Sequence, residues 1–160
     1  MSIKFLTTGG TIDKIYFDAN SKFEVGDSQI NQILAEGNVT IDFEVVPLMR
    51  KDSLELTDED RQTIFDAINN DAGEQFIVTH GTDTMTTTAD KLQSIEGKTI
   101  VLTGALTPAR FRTTDAVFNL GMAVAAAQSK PPGVYIAMSG QIFDAGAVRK
   151  NVEEQRFERT

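Results

Sequence analysis

Strand-length apolar runs alternating with amphipathic helical segments predict an α/β fold: a three-layer open parallel sheet, flavodoxin/Rossmann-like, in a single domain over residues 1–160. Two further observations reinforce this. Turn residues separate the runs at close intervals, and no stretch is long or polar enough to link two domains. With 160 residues and 41% hydrophobic content, the chain can fill one core.

The elements follow in order. Residues 3–7 form a short buried strand that ends in the turn Gly9-Gly10. Residues 28–36 carry Ile30, Ile33 and Leu34 at helical spacing, and Gly37 stops them. Residues 41–46 are β-branched and apolar, a strand that Pro47 closes. Thr57 and Asp60 mark the N-terminus of a helix with an acidic first turn. That helix turns Ile64, Phe65 and Ile68 inward and ends near Gly73. A strand over 75–79, a helix over 84–95 with Met85, Ala89 and Leu92 on one face, and a strand over 99–103 come next. Residues 114–128 are so rich in Val, Phe, Leu, Met and Ala that this helix is expected to be largely buried. Pro131-Pro132 breaks the chain before the fifth strand, 134–138. The charged tail, 148–160, is expected to be a solvated helix.

Composition narrows the function. A net charge of −8 argues against nucleic acid and anionic membrane surfaces as partners. With no cysteine there is no disulfide, thiolate nucleophile or thiolate metal site, and a single histidine, His80, excludes a multi-His zinc centre. No stretch approaches the length of a membrane span, and the first residues lack the apolar core of a signal peptide. The expectation is a cytoplasmic protein that acts on a small molecule.

In open α/β sheets ligands sit beyond the carboxyl ends of the strands. Those ends carry Thr7-Thr8-Gly9-Gly10-Thr11, then Asp52-Ser53, His80-Gly81-Thr82-Asp83-Thr84, Gly104-Ala105, and Ser139-Gly140 followed later by Lys150. The glycine pair lets backbone approach a ligand and presents the Thr11 hydroxyl, although a plain tight turn explains it equally well. His80 reads as structural, because no Ser-His-Asp arrangement is available to it. Asp83 is either a helix N-cap or a carboxylate for a cationic group. Spacing alone makes Lys150 part of a solvated face; a lysine of lowered pKa could instead be the base that a threonine hydroxyl needs.

Taken together, TTGGTID (7–13), VTHGTDTM (78–85), VLTGA (101–105) and FDAGAVRKN (143–151) resemble the bacterial-type L-asparaginase family, in its order and spacing and over essentially the whole chain. The resemblance implies hydrolysis of the L-asparagine side-chain amide through a threonine acyl-enzyme, without metal or organic cofactor. It assigns Thr11 as the nucleophilic threonine, and Thr82, Asp83 and Lys150 as the accompanying triad. Asp83 would hold the substrate ammonium and Asp52-Ser53 its carboxylate, while Gly10 and Gly81 line the substrate site. Backbone N–H groups of the Gly9-Gly10 turn or of Gly81-Thr82 would stabilise the oxyanion. Both threonines stay open as the first attacker.

Three departures matter. Family members run to about twice this length with a second α/β domain, which this chain lacks; the expectation is an intact short form. The family's hairpin tyrosine falls at Phe23, which cannot relay a proton, so Tyr16 becomes the hydroxyl partner to test. Leu54 follows Ser53 where many relatives are polar. A homo-oligomer is expected, with the segment 13–26 and the helix 114–128 as contact surfaces. Two other readings stay open: a catalytically weak amino-acid-binding module, and a hydrolase of glutamine or another small amide.

Overall fold

The computed structural model describes residues 1–17 and 22–160, and gives the backbone alone for Tyr16, Phe17 and Lys22. The chain runs β1 (Ser2–Gly9), β2 (Lys14–Phe17), β3 (Lys22–Val25), α1 (Ile30–Glu36), β4 (Asp42–Lys51), α2 (Asp58–Asn69), β5 (Gln75–Thr79), α3 (Met85–Leu92), β6 (Thr99–Thr103), α4 (Ala116–Ser129), β7 (Gly133–Met138), β8 (Gln141–Asp144), β9 (Val148–Asn151) and β10 (Arg156–Arg159). Six strands form the central sheet in the order β4-β1-β5-β6-β7-β8. The first five are parallel, and β8 turns back antiparallel on β7.

Strand alternation builds the expected three layers. Phe76, Val78, Ile100, Leu102, Ile136 and Met138 pack toward α2 and α3, while Phe5, Ile77, Val101, Tyr135 and Ala137 pack toward α1 and α4. The order of the parallel strands reverses at β1 and β5, so the crevice beyond their carboxyl ends is where this architecture places a ligand. α2 starts as the sequence predicts: the Thr57 side chain accepts from Asp60 N at 3.2 Å and Asp60 Oδ2 accepts from Thr57 N at 2.9 Å.

Three expectations are corrected and one strand is added. Pro47 does not close its strand; β4 runs on to Lys51, because it is the sheet edge and a residue without an N–H leaves no ladder bond unmade there. The tail is no helix. β9 and β10 pair antiparallel, Phe157 and Val148 are buried in the core, and Phe157 N donates to Ser139 Oγ at 2.9 Å. Across that hairpin Arg149 meets Glu158, a cross-strand pair that alternation along a strand produces. α4 buries one face only: Ala116, Leu120, Ala123 and Ala127 are inside, but Val117 and Phe118 are exposed. Finally, β8 goes unforeseen. Ser139 and Gly140 both have positive φ and close a two-residue hairpin that returns the chain along β7.

Candidate active site

Three loops meet with their backbones in contact. Gly9 and Gly10 both have positive φ, a conformation that favours glycine. A Cβ on Gly10 would lie 2.5 Å from Gly81 Cα, and one on Gly81 would lie 2.6 Å from the Ser53 Cβ. The turn after β1 therefore rests on the loop after β5, which rests on the loop after β4. Gly10 N donates to Lys51 O at 2.9 Å and fixes the first of these contacts. The touching glycines immediately precede Thr11 and Thr82, so both threonines follow directly on the contact between these loops.

Thr11 opens a single 3-10 turn, Thr11–Asp13, and faces a cavity of about 370 Å³ that Phe23, Leu106, Pro108, Phe111 and Lys14 also line. Phe23 and Phe111 close one wall, ring centroids 5.7 Å apart. The side chain of Tyr16 lies outside the described residues; its backbone pairs with Phe23 across the β2–β3 hairpin.

Lys150, in β9, reaches across to the loop after β5. Its Nζ donates to Thr82 Oγ1 and to Asp83 Oδ1, both at 2.7 Å. Thr82 is buried and Lys150 largely so, while Asp83 is half exposed. Burying Phe157 and Val148 is what brings this lysine to the crevice. The lysine thereby joins the Thr82 hydroxyl and the Asp83 carboxylate in one hydrogen-bonded group. Among the described residues no hydrogen bond joins the Thr11 side chain to this group.

The remaining residues hold the frame. Ser53 Oγ accepts from Asp83 N at 3.1 Å and Thr84 N at 3.3 Å, and Ser53 O accepts from Thr84 Oγ1 at 2.8 Å. Ser53 therefore supplies the acceptor at the start of α3, and Asp83 is not its cap. Asp52 pairs with Lys14 at 3.1 Å and ties the crevice to the hairpin. His80 is fully buried, and burial pushes its pKa down to about 4. The neutral ring donates from Nδ1 to Gly81 O at 2.7 Å and accepts at Nε2 from Thr88 Oγ1 at 2.7 Å; Arg61 Nε lies on the same hydroxyl. His80 is thus the brace of the Gly81 loop, as read from the sequence.

Two residues of the 114–120 block, which resembles the family's helix after the fourth strand, carry a role that the sequence reading did not assign. Asp115 accepts from Leu106 N and Thr107 N, and Asn119 Nδ2 donates to Gly104 O and to Asp115 Oδ2, both at 2.9 Å. They shape the loop after β6 that walls the Thr11 cavity. Their four-residue spacing at the start of α4 was the available signal.

The family model described as "Asparaginase, N-terminal" matches residues 2–157. A probable periplasmic L-asparaginase of Haemophilus influenzae is 34% identical over 93% of this chain and 46% of its own length. The L-asparaginase of Thermococcus kodakarensis is 30% identical over 94% of this chain and 48% of its own. The solved structure of the thermostable L-asparaginase of that organism superposes with a TM-score of 0.83 at 26% identity, covering 99% of this chain and 51% of that one. The chain thus spans about half the length of the relatives it matches.

Proposed function

Because this chain belongs to the asparaginase family, matching its N-terminal domain, we propose that it hydrolyses the side-chain amide of L-asparagine to aspartate and ammonia. The observation that carries the reading is the pair of 2.7 Å bonds from Lys150 to Thr82 and Asp83, beside a threonine that opens onto a cavity. Thr11 Oγ attacks the amide carbon, and Thr82 Oγ1, held by Lys150, is the alternative attacker. The Thr11 proton passes to the Lys150–Thr82–Asp83 group, or through Tyr16. The C–N bond breaks, and that proton leaves with ammonia. Water then hydrolyses the aspartyl ester and restores Thr11. Backbone N–H groups of the Gly10 turn and of the Gly81-Thr82 segment stabilise the oxyanion. Asp83 Oδ2 receives the substrate ammonium, since Lys150 occupies Oδ1, and the Asp52-Ser53 segment, with Lys14 paired to Asp52, marks the carboxylate end. No metal or organic cofactor takes part.

Exposed Val117 and Phe118 on α4, together with Phe111 and Phe23, support a second copy of the chain as the cover of this face. Light scattering at assay concentration reads that state. The cytoplasm is the compartment proposed, and cell fractionation tests it; among the described residues no helix is long and apolar enough to cross a membrane.

The test of function is ammonia release by the pure protein with L-asparagine and with L-glutamine. Faster release from asparagine supports the reading; faster release from glutamine selects the wider amide specificity. Phe23, which brings no hydroxyl to the wall beside Thr11, favours a binding module as second reading. Asparagine binding without ammonia release would select that module.

A further inference from the structure

The turn that presents Thr11 ends in a carboxylate with no ion-pair partner among the described residues. Asp13 is 1% exposed, and the one hydrogen bond to its carboxylate among the described residues comes from Gln29 N at 3.0 Å. No basic side chain lies within ion-pair distance of it among those residues. Arg50 and Arg110 act on it only through space, and Arg50 is already paired with Asp27. Asp13 lines a second cavity, of about 220 Å³, together with Thr7, Asn31, Met49, Arg50 and Asp27. Thr11 lines a different one, so the single turn Thr11–Asp13 has a cavity at each end.

We propose that this second cavity is a site for an ammonium cation, held by the Asp13 oxygen that Gln29 N leaves unused, in a lining that also holds Thr7 and Asn31. A buried carboxylate that accepts a single backbone N–H among the described residues is costly, whereas an asparagine would accept from Gln29 N equally well. The charge is thus explained by a cation that the described residues do not supply. Burial pushes Asp13 up to about 6, against the Gln29 N–H and the two arginines, which pull it down. At neutral pH it is mostly ionised, with a charge to offer. Ammonium fits better than a metal ion, because the described residues hold no group of three metal-ligating side chains and ammonium binds by directed N–H donation. The ligand is either free ammonium or the ammonium head of an amino acid. The source of free ammonium rests on the proposed hydrolysis, whose product would then report back to the turn that carries Thr11.

Binding is measured without turnover, which separates this proposal from the catalytic one. The melting temperature at pH 8 is followed against ammonium chloride, methylammonium chloride and glycine, with sodium chloride at matched ionic strength as the reference. At ten times its dissociation constant a cation raises the folding equilibrium constant about elevenfold, and a chain of this size melts roughly 3–6 °C higher. Protection is expected in the native protein and is lost in Asp13→Asn. It is also lost in the native protein at pH 4.5, where the Asp13 carboxyl is protonated; the charged groups that face it are Arg110 and Arg50, the latter paired with Asp27. Stronger protection by ammonium and methylammonium identifies the free cation, and stronger protection by glycine identifies the amino-acid head. Equal shifts with ammonium and sodium, or undiminished protection in Asp13→Asn, would overturn the proposal.

Discussion

Replacing Asp13 by asparagine should make the protein more stable at neutral pH. Asparagine keeps the acceptor for Gln29 N at 3.0 Å and removes a charge from a site that is 1% exposed. Burial raises the carboxyl from 3.8 to about 6. The folded state therefore binds the proton more tightly than the unfolded one, and the native protein loses stability as the pH rises through that window. Below 3.8 the carboxyl is neutral in both states, and the two proteins should differ little. Above about 6 the native protein carries the full cost, roughly 3 kcal/mol. The advantage of Asp13→Asn should therefore grow from near zero at pH 3.5 to about 3 kcal/mol at pH 8. Urea unfolding of both proteins at the two pH values, in ammonium-free buffer, measures it. A difference that is the same at both pH values would refute the reasoning, because it would show that the carboxylate is not desolvated.

Further predictions concern the frame. Lys150→Met should lower the rate of ammonia release by two orders of magnitude or more and alter the pH–rate profile; an unchanged profile would remove Lys150 from the mechanism. Thr79 carries a buried hydroxyl with no partner among the described residues, so Thr79→Val should be neutral or stabilising by about 1 kcal/mol in thermal unfolding. A loss of stability there would reveal a partner for the hydroxyl. Gly10→Ala should cost activity before it costs secondary structure, because its Cβ would meet Gly81 backbone at 2.5 Å. Circular dichroism beside the activity assay separates the two.

The central sheet was legible because β5 and β6 are buried on both faces and read as unbroken apolar runs between turn residues. The carboxyl-terminal strands were not, because β8, β9 and β10 are four residues each and at least half polar, and β9 and β10 set charged residues beside the buried Val148 and Phe157. Only the pairing of one strand with the next identifies such segments. Lys150 shows the same limit at the site. Its neighbours are charged, so local pattern reads as solvent, and the chain separation of 67 residues from Asp83 is bridged only by the fold. The resemblance placed it where composition could not. Asp13 went unnoticed because its burial comes from tertiary closure over the Thr11 turn; nothing in GGTID marks the carboxylate as buried.

The measurement that bears most directly on the proposed reaction is the rate of ammonia release from L-asparagine by Thr11→Val beside the native protein. Valine keeps the volume of threonine and removes only the hydroxyl. Loss of a nucleophile typically costs several orders of magnitude, so the account predicts a fall of about a thousandfold or more, with an unchanged circular dichroism spectrum. A variant that releases ammonia at near-native rate would contradict attack by Thr11 and hand the nucleophilic role to Thr82.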